Sequence, residues 1–266
     1  MTLKKIAQLG AAAAALVFTT QADAADLYGG YKGGPAAFSA PMWTGFYLGA
    51  NGGYAWRQTD DQFGYAACAA DCPPAGVPWP TFAGIGAEGG FGGGQIGYGW
   101  QGVSGMPSLV AGVEADIQGA GISGKAITVP GEPFNNSLDW FGTVRGRLGY
   151  AASSALVYVT GGFAYGGLRQ YGEDNSKTPT AVYEANGTVT GYVLGGGVEY
   201  KFNPSWSLKA EYQYLNFGRN DPGLACSGCT APATLSADQN TVKDDAFHTV
   251  RLGVNYWVRP AYEPLK

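Results

Sequence analysis

The chain of 266 residues contains one histidine and three methionines. Leucine and glutamate, which favour helices, are also sparse. Past the first two dozen residues, no apolar run is long enough for a membrane-spanning helix. Basic residues are few. The N-terminal segment reads as a secretory signal: Lys4 and Lys5, an apolar stretch from Ile6 to Thr20, then Ala22-Asp23-Ala24. Cleavage is expected after Ala24. Removing Lys4, Lys5 and Asp23 from 16 basic and 20 acidic residues leaves 14 and 19, net −5. A nucleic-acid partner, which calls for a basic face, is therefore not expected.

What is abundant is glycine, 44 residues, together with 14% aromatics. Average glycine usage is about 7%. The glycines sit inside alternating patterns, so they read as strand residues and the chain as all-β. The stretch Trp140 to Tyr150 shows the pattern best. One parity gives Trp140, Gly142, Val144, Gly146, Leu148 and Tyr150; the other gives Phe141, Thr143, Arg145, Arg147 and Gly149. Alternate side chains of a strand point to opposite faces. In a soluble sheet the arginines would face water; in a membrane barrel they would face a closed lumen.

Seven further segments alternate in the same way: 44–56, 92–101, 109–118, 156–165, 190–202, 206–217 and 247–258. The connections run long, short, long, short, long, short, long. Residues 58–90, 119–137, about twenty residues after 165, and 218–245 form the long ones. That rhythm predicts an eight-stranded antiparallel up-and-down transmembrane β-barrel with both termini in the periplasm. The expected domains are a signal peptide (1–24), a periplasmic linker (25–42), the barrel (43–258) and a periplasmic tail (259–266).

The polar faces hold Glu114, Asp116, Glu199 and Glu211 against Arg145, Arg147, Lys201, Lys209 and Arg251. The apolar faces of these segments carry no charge. A secreted sandwich would scatter surface charge, whereas a lumen has to pair it, because isolated buried charge is costly. Arg145 and Arg147 are predicted to meet Glu114 and Asp116 across the preceding strand as an ionic plug, with the other five around it. Trp43, Tyr54, Trp56, Tyr98, Trp100, Trp140, Tyr150, Trp206, Tyr214 and Tyr256 fall near strand ends, as interfacial girdles require.

Four cysteines, Cys68, Cys72, Cys226 and Cys229, lie in two long loops and read as disulfides in an oxidising compartment. Pairs 68–72 and 226–229 suit the spacing, and cross-loop pairs are open. Gly84 to Gly89 matches G-x-G-x-x-G but opens no helix, which excludes a dinucleotide site. The sole histidine, His248, falls at the outer end of the last strand with lipid-side parity. Neither a serine nor an acidic partner is tied to it, so it reads as a rim residue. Loop acids (Asp60, Asp61, Asp71, Glu88, Asp238, Asp244, Asp245) read as a solvated face that could hold divalent cations bridging lipopolysaccharide. No resident metal or cofactor is expected.

Several segments resemble the small porin-like outer-membrane proteins of alphaproteobacteria, the outer-membrane immunogenic proteins, related in fold to the OmpA membrane domain. They are AADL (Ala24–Leu27), WTGFYLGANGGYAW (Trp43–Trp56), GGGQIGYGWQ (Gly92–Gln101), GVEADI (Gly112–Ile117), TVRGRLGY (Thr143–Tyr150), LVYVTGGFAYG (Leu156–Gly166), LKAEYQYLNFG (Leu208–Gly218) and HTVRLGVNY (His248–Tyr256). The resemblance implies an abundant surface-exposed barrel in the outer membrane of a Gram-negative bacterium, and no enzyme. Implied partners are outer-membrane lipid, lipopolysaccharide and the barrel-assembly machinery. Such barrels usually end on an aromatic residue. Here Val258 takes that place and RPAYEPLK follows, so Tyr256 or Trp257 would carry the assembly signal, or the tail would have its own contact.

A structural role in the envelope, with displayed loops, is the expected function. Two rivals are a narrow pore for ions or small solutes and adhesion through the loops. Eight strands leave an interior that side chains just fill. Gly49, Gly53, Gly97, Gly99, Gly112, Gly149, Gly195, Gly197 and Gly253 all take lumen parity, and they could leave a watery gap.

Overall fold

Strands that are apolar on one face and charged on the other need two different surroundings. The chain supplies them by closing a sheet. The computed structural model describes residues 43–58, 63–64, 81–82, 86–127, 133–174, 181–218, 224–227, 234–235 and 245–258. Its eight long strands are β1 (Gly45–Arg57), β2 (Glu88–Gln101), β3 (Leu109–Ile127), β4 (Pro133–Ala152), β5 (Ala155–Asp174), β6 (Ala181–Lys201), β7 (Trp206–Asn216) and β8 (Ala246–Val258). Each pairs antiparallel with the next, and β1 also pairs with β8, from Phe46–Val258 to Arg57–Phe247. No edge is left in the closed ring, so every backbone group at membrane depth finds a partner within the sheet.

The closing turns at one end are short. Between β2 and β3 the chain passes through a left-handed Gly102 (φ 86°), a conformation glycine adopts without penalty. Between β6 and β7 the Asn203 side-chain oxygen accepts hydrogen bonds from the backbone N–H of Ser205 (2.9 Å) and Trp206 (2.8 Å). This is the Asx geometry that an Asn-Pro-Ser sequence favours. Between β4 and β5, Ser153 takes the positive φ (53°).

The predicted facings are those observed. Leu48, Ile96, Val113, Val144, Leu148, Val159, Leu194, Leu208 and Leu252 point outward, while the five cations and four carboxylates point inward and are buried. Leu156 and Tyr158, which disturb the pattern of β5, also point inward. Aromatic rings ring the short-turn end (Phe46, Tyr98, Trp100, Tyr150, Tyr200, Trp206, Tyr256) and the opposite end (Tyr54, Trp56, Trp140, Tyr192, Tyr214). Trp43 departs from this. Predicted for the girdle, it is 0% exposed and packs edge-on against Trp257 inside the barrel, 5.6 Å between ring centres. It precedes the first strand pair, and its backbone N–H donates to Gln101 Oε1 (3.0 Å), which directs the ring inward.

The strands are longer than the sequence pattern indicates. Residues 119–137 were expected as a loop, yet β3 runs on to Ile127 and β4 begins at Pro133. The loop expected after 165 is likewise mostly strand, since β5 extends to Asp174 and β6 starts at Ala181. Two physical features hide these extensions. The register slips at Gly119/Ile122 and at Leu138/Trp140, which interrupts strict alternation. Above Trp140 the outward positions are Ser137, Asp139, Arg169, Asn186 and Thr188, a polar face that meets water and so lacks the lipid-side signal.

As a result β3–β6 have 19 to 21 residues and the remaining four strands 11 to 14. The taller wall rises roughly 20 Å higher at about 3.3 Å per residue. The short strand Leu224–Ser227 adds to it beside Val182–Glu184 of β6, and Thr234–Leu235 pairs with that strand in turn.

Candidate functional site

The barrel interior is layered. At mid-height lies the charged layer. Arg145 on β4 forms ion pairs with Glu114 and Asp116 (2.8 Å) on β3 and with Glu211 (2.6 Å) on β7. Arg251 on β8 reaches Glu211 (2.6 Å) and Asp116 (3.2 Å), and Lys209 reaches Glu114 (2.8 Å). Arg147 turns the other way, to Glu199 (2.6 Å), and lies 3.4 Å from Glu114. Glu211 is therefore as central as the predicted Glu114–Asp116–Arg145–Arg147 quartet. It sits on β7, three strands away from the β4 strand of Arg145, and sequence adjacency gives no hint of it.

Neutral side chains complete the valences that the ions leave. Tyr47 donates to Glu114 Oε2 (2.7 Å) and accepts from Arg147 (2.9 Å). Tyr158 donates to Glu211 Oε2 (2.5 Å), and Thr143 donates to Asp116 Oδ2 (2.7 Å). Ser207 and Asn255 donate to Glu199 Oε1 at 2.6 and 2.8 Å. These phenols and hydroxyls were not among the predicted site residues. Their inward parity was readable; their partners across the lumen were not. A layer of this kind is held by hydrogen bonds that satisfy carboxylates already removed from water.

Toward the short-turn end the lumen holds an aromatic floor: Trp43, Tyr47, Val110, Ala151, Leu156, Tyr158 and Trp257. Lys201 lies here and not within the charged layer proper. Its ammonium sits 3.8 Å from the ring centre of Trp257 and 4.9 Å from that of Trp43, a cation–π arrangement. Trp257 Nε1 donates to Ser207 Oγ (3.0 Å), which joins floor to charged layer. Toward the other end a second apolar layer includes Phe91, Ile122, Leu138, Phe141, Leu168, Val193, Leu215, Phe217 and Phe247.

The lumen glycines leave no gap; they make room. The Tyr47 ring fills the space before Gly97, and the Phe91 ring that before Gly53. A methyl group on Gly112 would lie 3.1 Å from the Arg147 stem, and one on Gly149 2.7 Å from Tyr158 Cβ. At these four positions the absent side chain admits a larger neighbour from the adjacent strand.

Other predicted positions fall as follows. Asp245, expected on a solvated loop, is buried and ion-paired with Arg57 at the start of β8. Glu88 opens β2 and is exposed. Cys68, Cys72 and Cys229 lie outside the described residues, as does the side chain of Cys226, whose backbone belongs to the short strand beside β6. Residues 1–42, with the expected signal and linker, and the tail 259–266 lie outside them too, as do Asp60, Asp61, Asp71, Asp238 and Asp244.

The outer membrane protein beta-barrel domain family matches residues 10–257, which include the whole of this barrel but its last residue. The chain belongs to this family. It is 35% identical to the 31 kDa outer-membrane immunogenic protein of Brucella melitensis biotype 1 over 258 residues, 92% of this chain and 97% of that protein. Identity to the 22 kDa outer membrane protein of Rhizobium leguminosarum bv. viciae is 29% over 206 residues, 77% and 76% of the two chains. Similar solved structures include Neisserial surface protein A (15% identity, 81% of this chain and 98% of that one, TM-score 0.41). OprG from Pseudomonas aeruginosa is another (12% identity, 81% and 97%, TM-score 0.46). This member of the outer-membrane barrel family is an outer-membrane protein, and the resemblance noted in its sequence holds across the barrel.

Proposed function

We propose that the protein is a structural barrel of the outer membrane, closed to solutes, that supports the envelope and presents its tall outer wall to the surroundings. One observation carries this reading: the lumen is occupied by packed side chains in three successive layers, aromatic, ionic and apolar. A water-filled pore wants a continuous polar path, and both ends of this lumen are lined by rings and aliphatic chains. The rival pore gained its support from the lumen glycines. The side chains packed over them weigh against it.

A deletion strain tests the proposal. Cells lacking the protein should become more sensitive to detergent and to chelation of divalent cations, with uptake of small hydrophilic solutes unchanged. Slower solute uptake with unchanged envelope resistance would contradict it.

A further inference from the structure

At the outer rim the rings meet in pairs, such as Trp140 with Tyr165 (6.1 Å) and Tyr192 with Tyr214 (6.3 Å). On the short wall, across β1, β8 and β7, the rings gather around His248. The imidazole stacks on Trp56 (ring centres 5.7 Å, interplanar 23°) and on Tyr212 (5.9 Å, 26°), with Tyr214 at 5.4 Å. The Tyr212 hydroxyl lies 2.5 Å from His248 Nδ1. Tyr214 donates to Gln58 Oε1 (2.9 Å), and the Gln58 side-chain N–H groups have no partner among the described residues.

Tyr212 engages Nδ1, and Nε2 has no protein partner among the described residues. With the phenol donating to Nδ1, or with the ring doubly protonated, Nε2 carries a proton and donates. With the phenol as donor, the patch combines a cluster of aromatic rings with two donor groups, His248 Nε2 and Gln58 Nε2. Its height is also defined. On the opposite wall the outward side chains pass from Phe163 and Trp140 to Asp139 and Arg169 just above it, so it lies at the level of lipid headgroups.

We propose that this patch binds the phosphorylated sugar headgroup of an outer-leaflet glycolipid. The C–H face of a pyranose ring packs against the Trp56–His248–Tyr212 ring cluster, and a phosphate or hydroxyl oxygen accepts from His248 and Gln58. A glycerophospholipid offers the phosphate without the flat sugar face, so it satisfies only half of the patch. The site is independent of whether the lumen conducts: an open barrel would carry the same rim.

His248 is the sole histidine, which makes it its own reporter. The full-length protein, with isotope-labelled histidine, is refolded in phosphatidylcholine bicelles and titrated with lipid A. Parallel titrations use phosphatidylglycerol and inorganic phosphate. Lipid A should shift the imidazole resonances saturably, and neither phosphatidylglycerol nor phosphate should do so. Trp56→Leu should weaken the lipid A response by about tenfold or more. Tyr212→Phe, which keeps the stacked ring and removes the bond to Nδ1, should weaken it several-fold. The absence of a saturable shift with lipid A, or an equal shift with phosphatidylglycerol or phosphate, would overturn the proposal. If Trp56→Leu does not insert, Tyr212→Phe decides, and an unaltered response in that variant would also overturn it.

Discussion

The charged layer and the apolar layers of the lumen do the same geometric job with opposite chemistry. Both fill the space inside eight strands. In the charged layer each group is fixed by partners on several strands: Arg145 joins β4 to β3 and β7, and Arg251 joins β8 to β7 and β3. In the outer apolar layer, by contrast, the neighbours are aliphatic and aromatic side chains whose fit is set by shape. The ionic layer therefore ties together strands that face one another across the barrel, and on the proposed function the apolar layers are the seals at its two ends. Breaking one should be unlike breaking the other.

The largest effect is expected from Glu211→Ala. It leaves Arg145 and Arg251 short of a carboxylate in a buried site, where losing one partner of an ion pair costs about 3–5 kcal/mol. The loss should appear as a fall in the urea midpoint for unfolding from vesicles, followed by heat-modifiable gel mobility. Leu215→Ala, in the outer apolar layer, should cost about 2–5 kcal/mol, depending on how far its neighbours close the cavity. Unlike Glu211→Ala, it should be partly rescued by an enlarging substitution nearby, because volume and not pairing is what was lost. Asp139→Ala removes a half-exposed pair with Arg169 (3.6 Å) on the tall wall, worth about 0–1 kcal/mol, and should leave the midpoint nearly unmoved.

Permeability sharpens the same contrast. Arg145→Ala combined with Arg147→Ala removes two guanidiniums from the middle of the lumen and leaves Trp43, Trp257 and Lys201 below it and Phe141, Phe217 and Phe247 above it. If the layers act in series, this variant should conduct no more than the wild type, provided gel mobility shows it folded. A charged layer acting alone would give a leak.

Much of this was legible in the chain. Period-two alternation identified all eight strands and their facings, because the membrane-embedded part of each strand meets lipid on one side and a confined lumen on the other. It failed where those surroundings end. Above the rim, β3–β6 meet water outside, so Ser137, Arg169 and Thr188 carry no apolar signal and the tall wall reads as loop. Trp43 misled for the converse reason: a tryptophan near a strand end suits a membrane interface and a barrel floor equally, and only its neighbour Trp257 decides. The nine lumen glycines read as space because sequence shows the missing side chain and hides the neighbour that fills it. Within the charged layer, strand adjacency suggested Glu114 and Asp116 for Arg145. Glu211 comes from across the lumen, a contact that only barrel closure creates.

The most direct test of the serial seals is single-channel recording of the purified, refolded wild-type protein in planar lipid bilayers. A lumen closed by three packed layers predicts a flat baseline under applied voltage, with insertion verified independently. Steady, discrete openings of reproducible size would contradict it.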